Sequence, residues 1–89
     1  MPWEIRLSST AEKYYIKLPL TVRKRAQEEL EELGSYNNPV EHPNVKPLTG
    51  DLRGFYRLRI GDYRIVFAII RETKTIAVVN FAPRGDAYK

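Results

Sequence analysis

The residues of this chain best suited to chemistry are three arginines, Arg57, Arg59 and Arg64, set close together in Tyr56-Arg57-Leu58-Arg59-Ile60-Gly61-Asp62-Tyr63-Arg64-Ile65-Val66-Phe67. Gly61-Asp62 is a favoured two-residue hairpin loop. With that loop, Ile60 faces Tyr63, Arg59 faces Arg64 and Leu58 faces Ile65. Side chains alternate along a strand, so Tyr56, Leu58, Ile60, Tyr63, Ile65, Phe67 and Ile69 share an apolar face, and Arg57, Arg59 and Arg64 share the opposite one. Like charges directly across an antiparallel pair are destabilising, on a scale of roughly 0.2–1 kcal/mol. A sequence shaped for stability alone would set a Thr or Glu against Arg59. Guanidinium groups present forked donors that suit phosphate bidentately. The face reads as an anion site, with a solvated basic sheet face as the alternative. Beyond it, Pro83-Arg84-Gly85-Asp86-Ala87-Tyr88-Lys89 adds a fourth arginine and a tyrosine. These could fold over the same face, which spacing alone does not decide.

Other chemistry is poorly supported. His42 is the single histidine, and its Pro/Asn-rich surroundings suggest a solvent-exposed loop residue. No His or carboxylate pair has metal-ligand spacing, and Glu28, Glu29, Glu31 and Glu32 read as the solvated side of an amphipathic helix, so neither a metal nor another cofactor is expected. With no cysteine there is no disulfide and no thiolate site. Trp3, Tyr14 and Tyr15 read as core or partner contacts rather than base-stacking residues.

The elements that must position the arginines are legible in outline. Trp3-Glu4-Ile5-Arg6-Leu7-Ser8 alternates as a half-buried strand does. Ser8, Ser9 and Thr10 offer N-caps, with Glu12 three residues after Ser9 as in a capping box. A helix follows from Ala11 to about Leu18, with Tyr14, Tyr15 and Leu18 as its packing face, and Pro19 ends it. Thr21 can cap a second helix to about Leu33, striped by Val22, Ala26, Leu30 and Leu33, with Gly34 as C-cap. Residues 35–50 read as an irregular connection. Gly54–Ile60, Tyr63–Arg71 and Thr75–Phe81 read as strands. The order β-α-α-β-β-β implies an α+β fold, two N-terminal helices packed on one face of a small antiparallel sheet.

At 89 residues the chain fits one domain, residues 1–89. No apolar run approaches the roughly 18 residues of a membrane span, and Met1-Pro2-Trp3-Glu4 lacks a signal-peptide pattern, so a cytoplasmic location is expected. The net charge of +4 is uneven. Residues 1–42 carry six Lys/Arg against seven Asp/Glu, and residues 43–89 nine against four. The basic excess sits with the hairpin, as a polyanion-binding face would require.

The hairpin segment together with Pro83-Arg84-Gly85-Asp86-Ala87-Tyr88 closely resembles the RelE branch of the RelE/ParE toxins. Leu18-Pro19 and Leu48-Thr49-Gly50 extend the likeness over nearly the whole chain. The resemblance implies a metal-independent endoribonuclease that cuts mRNA in the ribosomal decoding site and is neutralised by a RelB-like antitoxin in a heterotetramer of two chains each. It assigns Arg64 to the phosphate, Arg84 to the leaving group and Tyr88 to the target nucleotide. Arg53, Arg57 and Arg59 become RNA- or phosphate-binding residues. Where relatives carry lysines thought to assist the attacking hydroxyl, this chain has Arg57 and Arg59. Arginine is a poor proton acceptor, which leaves Tyr88, Asp86 or the ribosome itself as the source of a base. Two other readings stay open: a ParE-type inhibitor of DNA gyrase, and a non-catalytic RNA- or ribosome-binding module.

Overall fold

A computed structural model describes residues 3–83 of the chain. Alternating Ile5 and Leu7 turn inward from β1 (Glu4–Leu7). Ser8 then caps α1 (Ser9–Lys17), its hydroxyl accepting the Ala11 N–H at 3.0 Å. The inward face of α1 is Ala11, Tyr15 and Leu18, at the spacing of one helix stripe. Tyr14, expected on that face, lies one position off it and is 47% exposed. Helix α1 stops before Pro19, as expected, and Arg23 Nη2 donates to the carbonyls of Ile16 and Leu18, each at 3.4 Å.

Helix α2 (Leu20–Ser35) starts directly after Pro19, so Thr21 lies inside it rather than capping it. Pro19 has no N–H to leave unsatisfied and already sits at φ −54°. Ala26, Leu30 and Leu33 are buried and Val22 packs beside them, as the stripe requires. Gly34 is not a left-handed C-cap. It belongs to the last turn of α2, where its carbonyl accepts the Trp3 N–H at 2.7 Å. A Cβ there would stand 3.2 Å from the Trp3 carbonyl, so the close approach of β1 is what requires glycine.

The sheet differs from expectation in two respects. It has five strands in the order β1-β5-β4-β3-β2, comprising β2 (Val45–Pro47), β3 (Tyr56–Ile60), β4 (Tyr63–Ile70) and β5 (Thr75–Pro83) besides β1. Strand β2 falls in the stretch read as irregular, between two short 3-10 turns at Pro39–Glu41 and Gly50–Leu52. The sheet is also mixed, because β1 pairs with β5 in parallel while the other pairs are antiparallel. A parallel pair needs a long intervening connection, and here the two helices and three strands supply it.

Leu58, Ile65, Phe67, Ile76 and Val78 are fully buried under the helices with Leu30 and Leu33. Fully burying one such side chain is worth about 1.5–3 kcal/mol. This packing fixes the sheet's inner face and thereby what its outer face must display.

Candidate phosphate-binding face

The β3–β4 hairpin has the expected register: Leu58 pairs with Ile65, Arg59 with Arg64 and Ile60 with Tyr63. Gly61 adopts φ 58° and Asp62 does not share the positive region, as in the hairpin turn with glycine at its first central position. Since Leu58, Ile60, Ile65 and Phe67 point into the core, alternation sends Arg57, Arg59 and Arg64 outward together. Strands β2 to β5 contain no Asp or Glu.

Strand β2 adds a fourth cation that sequence reasoning missed. Lys46 pairs with Arg57 and is exposed, while its neighbour Val45 is buried. The one available signal was that single inward-outward alternation, and two flanking prolines obscured it. Arg59 is exposed, whereas Arg57 and Arg64 are half-buried. The Asn44 carbonyl accepts from Arg57 Nη1 at 3.4 Å and from the Arg59 N–H at 3.3 Å, which ties the start of β2 to the arginine strand. Arg53 is exposed in the turn after Gly50–Leu52, off the sheet. Arg84, Asp86 and Tyr88 lie outside the described residues.

His42 is buried, at 3% exposure, contrary to the loop-exposed expectation. Its ring packs against Tyr36 with centroids 5.2 Å apart. Nδ1 accepts the Asn44 N–H at 3.0 Å, and Nε2 lies 3.6 Å from Glu29 Oε1 and 3.9 Å from Glu32 Oε2. These three side chains have the composition of a metal site, but their chemistry does not fit one. With Nδ1 accepting, the neutral ring carries its hydrogen on Nε2, which then has no lone pair for a cation. Nε2 has no hydrogen-bond partner among the described residues, so His42 packs between α2 and the 42–44 turn and supports the arginine strand through Asn44.

Beside the arginines, the outer face becomes apolar. Val66 and Ala82 are buried there at 3% and 4% exposure although neither belongs to the core under the helices. The β4–β5 register slips at this point: Val66 pairs with Asn80 and Phe67 with Val78, leaving Val79 as the extra residue of a bulge. Ser8 holds α1 against that bulge, its N–H donating to Val78 O at 2.8 Å and its hydroxyl to Val79 O at 3.3 Å. The result is a cleft of about 400 Å³ lined by Thr10, Tyr14, Leu52, Val66, Val79 and Asn80.

Chemically, the face can hold a phosphate and offset negative charge that develops on it. Its three guanidinium groups, those of Arg57, Arg59 and Arg64, donate hydrogen bonds but do not accept protons. Residues 5–88 match the family model described as the ParE toxin of the type II toxin–antitoxin system parDE. Among individual proteins, the chain is 32% identical to Toxin RelE of Mycobacterium tuberculosis over 89 residues, covering 99% of this chain and 88% of that one. In three dimensions it is similar to a chain of a RelBE toxin–antitoxin complex from Mycobacterium tuberculosis, with TM-score 0.82, 28% identity and coverage of 97% and 95%. It is likewise similar to a chain of the archaeal RelE–RelB complex from Pyrococcus horikoshii, with TM-score 0.75, 30% identity and coverage of 98% and 100%.

Proposed function

The chain belongs to the ParE toxin family and is a RelE-type toxin, and from that premise we propose that it is a ribosome-dependent endoribonuclease that cuts mRNA in the decoding site. The observation that carries this reading is the Arg59–Arg64 rung, flanked by Arg57 and Lys46 on strands without a carboxylate. In the reaction, the ribose 2′-hydroxyl loses its proton and its oxygen bonds to the adjacent phosphorus. The bond from phosphorus to the 5′-oxygen breaks, and that oxygen takes up a proton. The products are a 2′,3′-cyclic phosphate and a 5′-hydroxyl end.

Arg64 binds the phosphate undergoing attack and offsets the charge of the phosphorane-like transition state. Arg57, Arg59 and Lys46 hold the flanking backbone, with Arg53 contributing from the adjoining turn. Arg84 serves the leaving oxygen and Tyr88 orients the target nucleotide. Arginines orient well but accept protons poorly, so the enzyme is slow on free RNA and depends on the ribosome to position the 2′-hydroxyl. No metal takes part. The place of action is the cytoplasm, and the described residues contain no helix long and apolar enough to cross a membrane. The partner is a RelB-like antitoxin, a reading supported by relatives solved as toxin–antitoxin complexes; it covers this face in a complex of two toxins with two antitoxins.

Primer extension on cellular mRNA after induction tests the reading. Codon-positioned breaks inside reading frames are expected. The second reading is a ParE-type inhibitor of DNA gyrase, the branch whose name the matching family model carries. It predicts gyrase-linked DNA damage with intact mRNA, an outcome that would replace the first reading.

A further inference from the structure

We propose that the cleft beside Arg64 is a nucleobase pocket, in which Tyr14 stacks on a base flanking the scissile phosphate and Asn80 reads that base's edge. The inference rests on the ribonuclease reading and adds to it a site that recognises sequence. Three independent features converge on it. The first is place. Arg64 and Val66 are two residues apart on the outward side of β4, and two residues of strand span about 6.6 Å. Val66 is one of the residues lining the cleft, so a phosphate at Arg64 leaves its nucleoside within reach of it.

The second is an aromatic without a packing task. Tyr14 is 47% exposed while its neighbour Tyr15 packs against Phe81 with centroids 5.5 Å apart. Thr10 and Tyr14, four residues apart on α1, both line the cleft, and Ser8 fixes the helix to the β5 bulge. An exposed tyrosine sharing a cleft with apolar Val66, Val79 and Leu52 offers the stacking surface by which single-stranded bases are held. The third is a polar atom in want of a donor. Asn80 Oδ1 is buried and has no hydrogen-bond partner among the described residues, although buried polar atoms nearly always have one. The bulge beside Val66 aims Asn80 at the cleft, as bulges near active sites re-aim side chains. Rotation of the amide toward the cleft that Asn80 lines brings that oxygen to a base N–H, and the amide as a whole distinguishes base edges.

The test is single-turnover cleavage on ribosomes programmed with A-site codons that vary one base at a time. Tyr14→Ala should slow cleavage roughly tenfold to a hundredfold, the range set by loss of one base–aromatic stack. Tyr14→Trp should restore the rate, which a merely structural tyrosine would not. Asn80→Leu should flatten the rate differences among bases at one codon position and leave those at the other positions unchanged. Matched thermal melts establish that each variant is folded. Wild-type rates and codon profiles in both Tyr14→Ala and Asn80→Leu would overturn the pocket while leaving the ribonuclease reading intact. A wild-type protein that cuts no programmed codon would overturn both.

Discussion

Replacing Arg59 with threonine should yield a protein that is more stable and binds RNA less tightly. Arg59 stands directly across from Arg64 and is exposed, and its own N–H is held by the Asn44 carbonyl, which the substitution leaves in place. Two unit charges roughly 6 Å apart in water repel by about 0.7 kcal/mol, within the cross-strand range of roughly 0.2–1 kcal/mol. Threonine also suits a strand. In a domain of this size, about 0.7 kcal/mol corresponds to roughly 3–6 °C in Tm. Salt identifies the cause, because the Debye length falls from about 10 Å at 0.1 M to about 3 Å at 1 M. Thermal melts followed by circular dichroism should therefore show a gain at 0.1 M NaCl that shrinks at 1 M. In parallel, the slope of log affinity for single-stranded RNA against log salt should become shallower by about 0.7, the share of one lost phosphate contact. A lower Tm, or a gain indifferent to salt, would refute the view that this rung is strained in favour of an anion.

Arg64→Ala should abolish codon-positioned cleavage by more than about a hundredfold, the scale of losing one charge-stabilising donor, with the fold retained; primer extension and a melt check the two halves. Arg84→Ala and Tyr88→Ala should keep ribosome association near wild type while single-turnover cleavage falls by orders of magnitude, as for contacts made in the transition state. Parallel loss of binding and cleavage would make the tail a docking element. His42→Ala should cost about 2–4 kcal/mol by opening a cavity and removing the acceptor of the Asn44 N–H, measured by urea denaturation. Gly34→Ala should destabilise by about 1 kcal/mol despite the better helix propensity of alanine, because overpacking against the Trp3 backbone outweighs it.

What was legible in the sequence were features governed by near neighbours. Gly61-Asp62 and the alternation around it specify the hairpin, its register and the outward arginines, because a two-residue turn leaves one pairing that buries Leu58, Ile60, Ile65 and Phe67 together. The α2 stripe is legible for the same reason. Long-range placement was not. Nothing in Glu4–Leu7 specifies that its partner is Thr75–Val78 or that the two run parallel. His42 looks like a loop residue until α2 brings Glu29 beside it. Gly34 looks like a cap until Trp3 is seen against its carbonyl. Tyr14 and Tyr15 are equivalent by composition, and only the rotation of α1 on β5 separates the core residue from the cleft residue. At the site, the arginines were found by local pairing, while Lys46 and Asn80 depend on strand neighbours that the sequence does not name.

The parallel pairing of β1 with β5 has a consequence for the order in which this protein is made. Glu4 cannot meet Thr75 until more than seventy further residues have been polymerised and have left the ribosome. At about 5–20 residues per second, β1 waits for several seconds as an amphipathic strand with its partner not yet made. The seat of α1 waits with it, because Ser8 is anchored on the carbonyls of Val78 and Val79. Pairing across so much chain carries the entropy cost that slows folding of non-local topologies. Until then neither β1 nor α1 holds its final place. That interval exposes the unpaired first strand to any partner already present, before the arginine face is complete.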